Sequence, residues 1–258
     1  MRSVLFINYE YPPVGAGAAT ATYYFATLLA AEGIHVTVLT SAFGAKKGTT
    51  VEDGVTLYRL PALRKKPGQS SIMQMLAFLC SALLHLPRVV RNTRPERVVI
   101  FFSFPCGPAG LLLRRLFKIP YALMLRGSDV PGNEPSLDRI HRLLSPVRKA
   151  VYRNSSAVIA NSNSLRDLAL RSDPESTISV IPNGIDTEYY QPAESSSENT
   201  RHHFTFIFAG RICVQKNLGM LIEAFSSCYK TNPGIKIVTP FPSIAQRKPS
   251  ITPTMGFK

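Results

Sequence analysis

Val98-Val99-Ile100-Phe101-Phe102 is an unbroken run of β-branched and aromatic residues with no polar position to meet water. A strand with one solvated face would alternate, so this run predicts a parallel strand in a sheet covered by helices on both faces. Working outward, further strands are predicted at Val4 to Asn8, His35 to Thr40, Val55 to Leu60, Tyr121 to Arg126, Ala157 to Ala160 and Ile178 to Ile181. Helical periodicity falls between them, at Ala18 to Glu32, Ile72 to Asn92, Pro108 to Phe117, Leu137 to Tyr152 and Ser164 to Arg171. The alternation specifies an α/β fold with a doubly wound parallel sheet.

Composition narrows the classes of function. The 258 residues are 45% hydrophobic and carry a formal charge of +14, which rules out general disorder and points to acidic partners. Nucleic acid is disfavoured, because no zinc spacing, RNA-binding aromatic signature or helix-turn-helix pattern is present. The four cysteines, Cys80, Cys106, Cys213 and Cys228, form no C-x-x-C pair and read as small buried hydrophobes in a reducing compartment. Met1 to Ile7 enters a polar loop too soon for a signal peptide, so the expected location is cytoplasmic. The apolar run Ile72 to Leu86 falls short of the roughly 20 residues a bilayer span needs, and is expected to be a core or interfacial helix.

Pro192 to His203, rich in Ser, Glu and Asn, reads as a linker into a second sheet that starts at Phe204. There Ile207-Phe208-Ala209-Gly210-Arg211-Ile212-Cys213-Val214-Gln215-Lys216-Asn217 runs from a strand through a basic loop into a helix beginning near Leu218. It places Arg211 and Lys216 at a strand's carboxyl end and beside a helix N-terminus, where backbone N–H groups and the dipole already favour an anion such as a diphosphate. In the first domain, Gly15-Ala16-Gly17 joins strand to helix and lets backbone approach a ligand closely. Thr20 stands where a dinucleotide fingerprint wants its third glycine, and Val38-Leu39-Thr40-Ser41 ends the second strand without a carboxylate, which argues against NAD.

Together with Val180-Ile181-Pro182-Asn183-Gly184-Ile185-Asp186, these segments resemble the family-4 retaining glycosyltransferases of the GT-B fold, over Met1 to about Ile237. The resemblance implies a domain plan of 1–191 as an acceptor-side domain, 192–203 as linker and 204–238 as the start of a donor-binding domain. It also implies transfer of a sugar from a nucleotide-diphospho-sugar to a glycan or lipid-linked acceptor, as in polysaccharide biosynthesis, with no cofactor and no metal. Gly15, Gly17, Arg211 and Lys216 would then hold the donor, its diphosphate between the domains. Where the family more often has His-Gly-x-Asp, this chain has Arg126-Gly127-Ser128-Asp129. Arg126 can stabilise charge on the departing phosphate or bind an anionic acceptor, and Asp129 can orient Arg126 or accept from a substrate hydroxyl. The alternative for Asp129 is a local Asx turn closed by Gly127.

Three further features keep two readings each. Asn161-Ser162-Asn163-Ser164 is either a ligand contact or a helix N-cap. The Arg139, His141, Arg142, Arg148, Lys149 and Arg153 set is either a face for an anionic membrane, placing the protein on its inner surface, or the solvated side of a core helix. Residues 239–258 carry repeated prolines and no Glu-x7-Glu region, the family's donor-sugar motif. The expectation is an aberrant, disordered tail after an incomplete second domain, with turnover impaired or, in the alternative, a non-catalytic remnant that binds nucleotide or membrane weakly.

Overall fold

A computed structural model describes residues 2–68, 70–134, 137–188, 190–191, 204–210 and 216–238. The chain divides after Asn183 into two compact units.

The first unit is an eight-stranded sheet with strands β1 (Ser3–Ile7), β2 (His35–Ser41), β3 (Gly48–Glu52), β4 (Val55–Leu60), β5 (Arg97–Phe101), β6 (Tyr121–Met124), β7 (Ala157–Ala160) and β8 (Ile178–Val180), in the order β3-β4-β2-β1-β5-β6-β7-β8. Every neighbouring pair is parallel except β3 with β4. From β1 the order first runs outward through β2 and β4, then returns to place β5 on the opposite side. That reversal makes the gap between the carboxyl ends of β1 and β5 the switch point at which open α/β sheets take ligands.

The helices are α1 (Gly17–Ala31), α2 (Ile72–Thr93), α3 (Gly107–Leu112), α4 (Asp138–Leu143), α5 (Ser145–Asn154) and α6 (Asn163–Ser172). Leu5, Ile7, Leu39, Leu57, Ile100, Phe101 and Leu123 are fully buried, each contributing about 1.5–3 kcal/mol of hydrophobic stabilisation. The α3 helix lies close on β5 because Gly110 lacks a side chain; a Cβ there would collide with Ile100 and press on Tyr121. After Leu112 the helix widens into a π turn over Leu113–Phe117 and ends at Lys118 in a left-handed conformation.

Three expectations need correction. The apolar run starting at Ile72 extends through Pro87 to Thr93, and α2, at 22 residues, is long and apolar enough to cross a membrane by length and composition. Its Phe78, Ala82, Leu86, Val89 and Val90 are nevertheless buried in the first unit's core, as a helix packed on a sheet requires. The segment 137–152 is two helices, because Ser145-Pro146 starts a new one. Two of its basic residues face inward: His141 Nε2 lies 3.1 Å from the Ser128 carbonyl, and Arg148 Nη1 donates to the His141 carbonyl at 3.0 Å. Finally, Cys106 is buried but Cys80 and Cys228 are exposed, and Cys213 lies outside the described residues.

The second unit contains β9 (Phe204–Ile207) paired in parallel with β10 (Ile235–Val238), joined by α7 (Leu218–Thr231). The strand and helix are those the sequence predicts at Phe204 and Leu218, and β10 completes a β-α-β unit. The linker 192–203 and the tail 239–258 lie outside the described residues.

Candidate functional site

The site is assembled where the first unit's parallel strands end. β1 leads into the loop Asn8 to Ala16, which is anchored from below. Asn8 is fully buried; its Nδ2 donates to Thr22 Oγ1 at 2.7 Å, while its Oδ1 accepts from the Glu10 N–H at 3.0 Å. One amide side chain therefore fixes the loop to the strand below and to α1 beside it. Gly15 closes the loop with φ +97, a conformation that L side chains rarely adopt, and its N–H donates to the Pro67 carbonyl at 2.8 Å. A Cβ at that position would lie 2.6 Å from Glu10 Cβ and 2.9 Å from Ala19 Cβ. Gly15→Ala should thus cost about 1–3 kcal/mol of unfolding free energy, measured as a lowered urea midpoint. Gly17 opens α1 with free space where a Cβ would stand, and its N-cap residue, Ala16, has no side-chain oxygen to accept from the first turn.

Across the switch point, the loop after β6 holds Arg126 and Asp129. Asp129 is 2% exposed, and its carboxylate accepts three backbone N–H bonds: Ser103 to Oδ2 at 2.7 Å, and Arg126 and Gly127 to Oδ1 at 3.0 and 3.1 Å. Ser103 Oγ donates to the Asp129 carbonyl at 3.1 Å. Burial pushes the Asp129 carboxyl above its usual range, against the backbone N–H bonds that pull it down. The carboxylate ties the β5 loop to the β6 loop and is turned away from solvent. This is the geometry of the local turn reading, extended across two strands.

Arg126 is held by its surroundings on three sides. Its guanidinium lies 4.9 Å from the Phe101 ring centroid, Nη1 donates to Asn183 Oδ1 at 2.7 Å, and Nη2 lies 3.7 Å from Met124 Sδ. Nε is buried with no partner among the described residues. Burial lowers the Arg126 pKa to about 10, partly offset by the Asp129 charge, so the group stays cationic at neutral pH. The cation is already half-buried and oriented, with hydrogen-bonding capacity to spare for an incoming anion.

Of the other sequence candidates, Ser162 caps α6 by accepting from the Leu165 N–H at 3.2 Å. The Asp186 carboxylate accepts from the Glu188 N–H at 3.0 Å, as a turn former does. In the second unit, Lys216 stands immediately before Asn217, whose side chain caps α7 by accepting from the Met220 N–H at 3.4 Å. The Lys216 stem returns toward the end of β9, with Cε 3.9 Å from where a Gly210 Cβ would be. Arg211 lies outside the described residues. The sequence alone marks neither Asn8 nor Ser103 as functional, and it marks Asn183 only as part of the Val180 to Asp186 segment. Each acts through partners 14 or more residues away in the chain, which no local pattern reports.

Comparison with known proteins fits this arrangement. Residues 15–189 match the profile of Glycosyltransferase Family 4, a stretch that starts at the glycine loop and takes in the Arg126 and Asn183 region. The chain belongs to that family. A Bacillus subtilis (strain 168) protein named as a teichuronic acid biosynthesis glycosyltransferase is 28% identical to this family-4 chain, over 69% of it and 46% of that protein. The alpha-maltose-1-phosphate synthase of Mycolicibacterium smegmatis is 26% identical, over 91% of this chain and 59% of its own. The family-4 chain thus spans about half the length of the curated relatives it matches. Among solved structures, sucrose-phosphate synthase from Thermosynechococcus elongatus superposes with a TM-score of 0.67 at 16% identity, covering 93% of this chain and 71% of that one. The fold is GT-B-like, with the doubly wound first unit of that architecture.

Proposed function

We propose that the chain takes part in transferring a sugar, with retained anomeric configuration, from a nucleotide-diphospho-sugar to a glycan or lipid-linked acceptor. The observation that carries this reading is the Arg126 guanidinium, half-buried and fixed over Phe101 at the carboxyl edge of the sheet, across the switch point from the start of α1. In the reaction, Arg126 takes negative charge from the departing phosphate oxygen, and Asp129 acts as a positioning residue that fixes the turn carrying it. In the second unit, Lys216, just before the N-terminus of α7, and Arg211 are the residues we assign to donor phosphate. Such a site works by electrostatic stabilisation and asks for no cofactor. The name of the Bacillus subtilis relative supports a product of the polysaccharide class. Exposed Arg139 and Arg142, beside Leu143 at 80% exposure, support peripheral contact with an anionic membrane on the cytoplasmic side.

The test is turnover of UDP- and GDP-sugars by the whole chain, followed by release of the free nucleoside diphosphate. Lys216→Ala is expected to reduce turnover by about 10–100-fold, since it deletes a charge-assisted contact to the leaving group. Equal turnover by wild type and variant would remove Lys216 from the donor site. Absence of any donor binding by calorimetry would remove the transferase reading for this chain.

A further inference from the structure

The first unit contains a second feature, separate from the Arg126 site. A cavity of about 700 Å³ opens on the α2 side of the sheet edge, walled by the loop after β2, by β3 and β4, by the segment after β4 and by the second half of α2. That volume lies within the range of natural ligand pockets. Its charge is one-sided. Lys47, Arg59, Arg64, His85 and Arg88 line it, and no described lining residue is an aspartate or glutamate.

The cations differ in how far the protein satisfies them. Arg59 is 4% exposed and bonds through Nη1 to Thr50 Oγ1 at 2.6 Å and to Glu52 Oε1 at 3.0 Å, while its Nη2 is buried with no hydrogen-bond partner among the described residues. Arg64 pairs with Glu10 at 3.8 Å. Lys47 and Arg88 have no carboxylate partner among the described residues and line the cavity from two different elements, one from the loop after β2 and one from α2. A buried guanidinium with an unused donor is costly in a protein interior, and an anion in the cavity would relieve the surplus of positive charge. Tyr58 and Phe43 add aromatic carbon surface to the lining, which suits a sugar ring.

The cavity also touches the reaction site from behind. Arg64 lies over the Tyr9 ring, 5.4 Å from its centroid, and pairs with Glu10 in the loop that Gly15 closes. We propose that this cavity binds a phosphorylated saccharide, its phosphate held among Arg59, Arg88 and Lys47 and its sugar against the aromatic wall. Calling that ligand the acceptor rests on the sugar-transfer reading; the binding site itself rests on the cavity and its charge. A concave pocket favours a compact phosphorylated headgroup over a flat membrane surface or a polyanion. The headgroup can belong to a soluble sugar phosphate or to a lipid-linked one.

The experiment is calorimetric titration of the whole chain with glucose 6-phosphate, glucose and inorganic phosphate, with UDP titrated in parallel. Glucose 6-phosphate is expected to bind, glucose not to bind, and the affinity to fall as salt is raised. Arg88→Ala and Lys47→Ala are each expected to weaken glucose 6-phosphate about 10-fold and to leave UDP affinity unchanged. Both side chains are exposed, and a melting curve confirms that each variant is folded. Unchanged glucose 6-phosphate affinity in both variants, or glucose binding as well as its phosphate, would overturn the proposal. Co-sedimentation with phosphatidylglycerol vesicles identifies the source. Competition by glucose 6-phosphate, lost in Arg88→Ala, means that a lipid headgroup enters the same cavity; sedimentation without competition leaves the soluble sugar phosphate as the ligand. If sugar phosphate binds but no nucleotide-sugar is bound or turned over, the cavity stands and the transferase reading falls.

Discussion

Arg126→Ala is expected to slow the proposed sugar transfer by about 100–1,000-fold while leaving the fold intact. The size follows from what one preorganised donor contributes at developing negative charge, about 3–4 kcal/mol. The loss should fall on kcat more than on KM, because the charge on the departing oxygen grows only toward the transition state. Arg126→Lys should recover little. An ammonium restores the charge but cannot lie flat on Phe101 and reach Asn183 Oδ1 with one nitrogen while offering another to phosphate. Stopped-flow or coupled assay of nucleoside diphosphate release measures both variants. Wild-type kcat in Arg126→Ala would exclude this guanidinium from the chemistry.

Asp129→Ala is expected to destabilise the first unit by about 3–5 kcal/mol, the range for removing one side of a buried charged network. Three backbone N–H groups, from Ser103, Arg126 and Gly127, would lose their acceptor in a place water does not reach. The measurement is urea unfolding, with tertiary structure followed by near-ultraviolet dichroism. A loss below about 1 kcal/mol would mean that water or a rearranged turn replaces the carboxylate. Because the Arg126 N–H is one of the three, the variant should also lose activity in proportion to how far the turn relaxes. Asp129→Asn is the sharper comparison. Its Oδ1 can still serve Arg126 and Gly127, but its amide group meets the Ser103 N–H donor to donor.

The first sheet was legible wherever burial on both faces writes itself as apolar runs. Strands β1, β2 and β4 to β8 were all found within about two residues of their ends. β3 was missed. Gly48-Thr49-Thr50-Val51-Glu52 lies at the sheet edge, half in water, and has too little apolar content to stand out. Its signal was the turn that follows: Asp53 and Gly54 both have positive φ, as a two-residue hairpin needs, and an Asp-Gly pair before an alternating strand announces that geometry. The break at Ser145-Pro146 was visible too, but the helical periodicity on either side outweighed it. At the site, the glycine loop and the Arg-Gly-Ser-Asp turn were legible as motifs. The structure adds the sense of their hydrogen bonds. Asp129 reads equally well as a substrate contact or a turn anchor until Ser103, 26 residues away, is seen donating to it. The cationic cavity was invisible in sequence because Lys47, Arg59, Arg64 and Arg88 come from four separate segments.

Asn183 is the last residue of the first unit, and its side chain accepts the Arg126 hydrogen bond. The polypeptide therefore leaves the first unit through a knot tied to the cation on which the proposed chemistry depends. The end of that unit and the orientation of the guanidinium are thus fixed to one another through a 2.7 Å hydrogen bond.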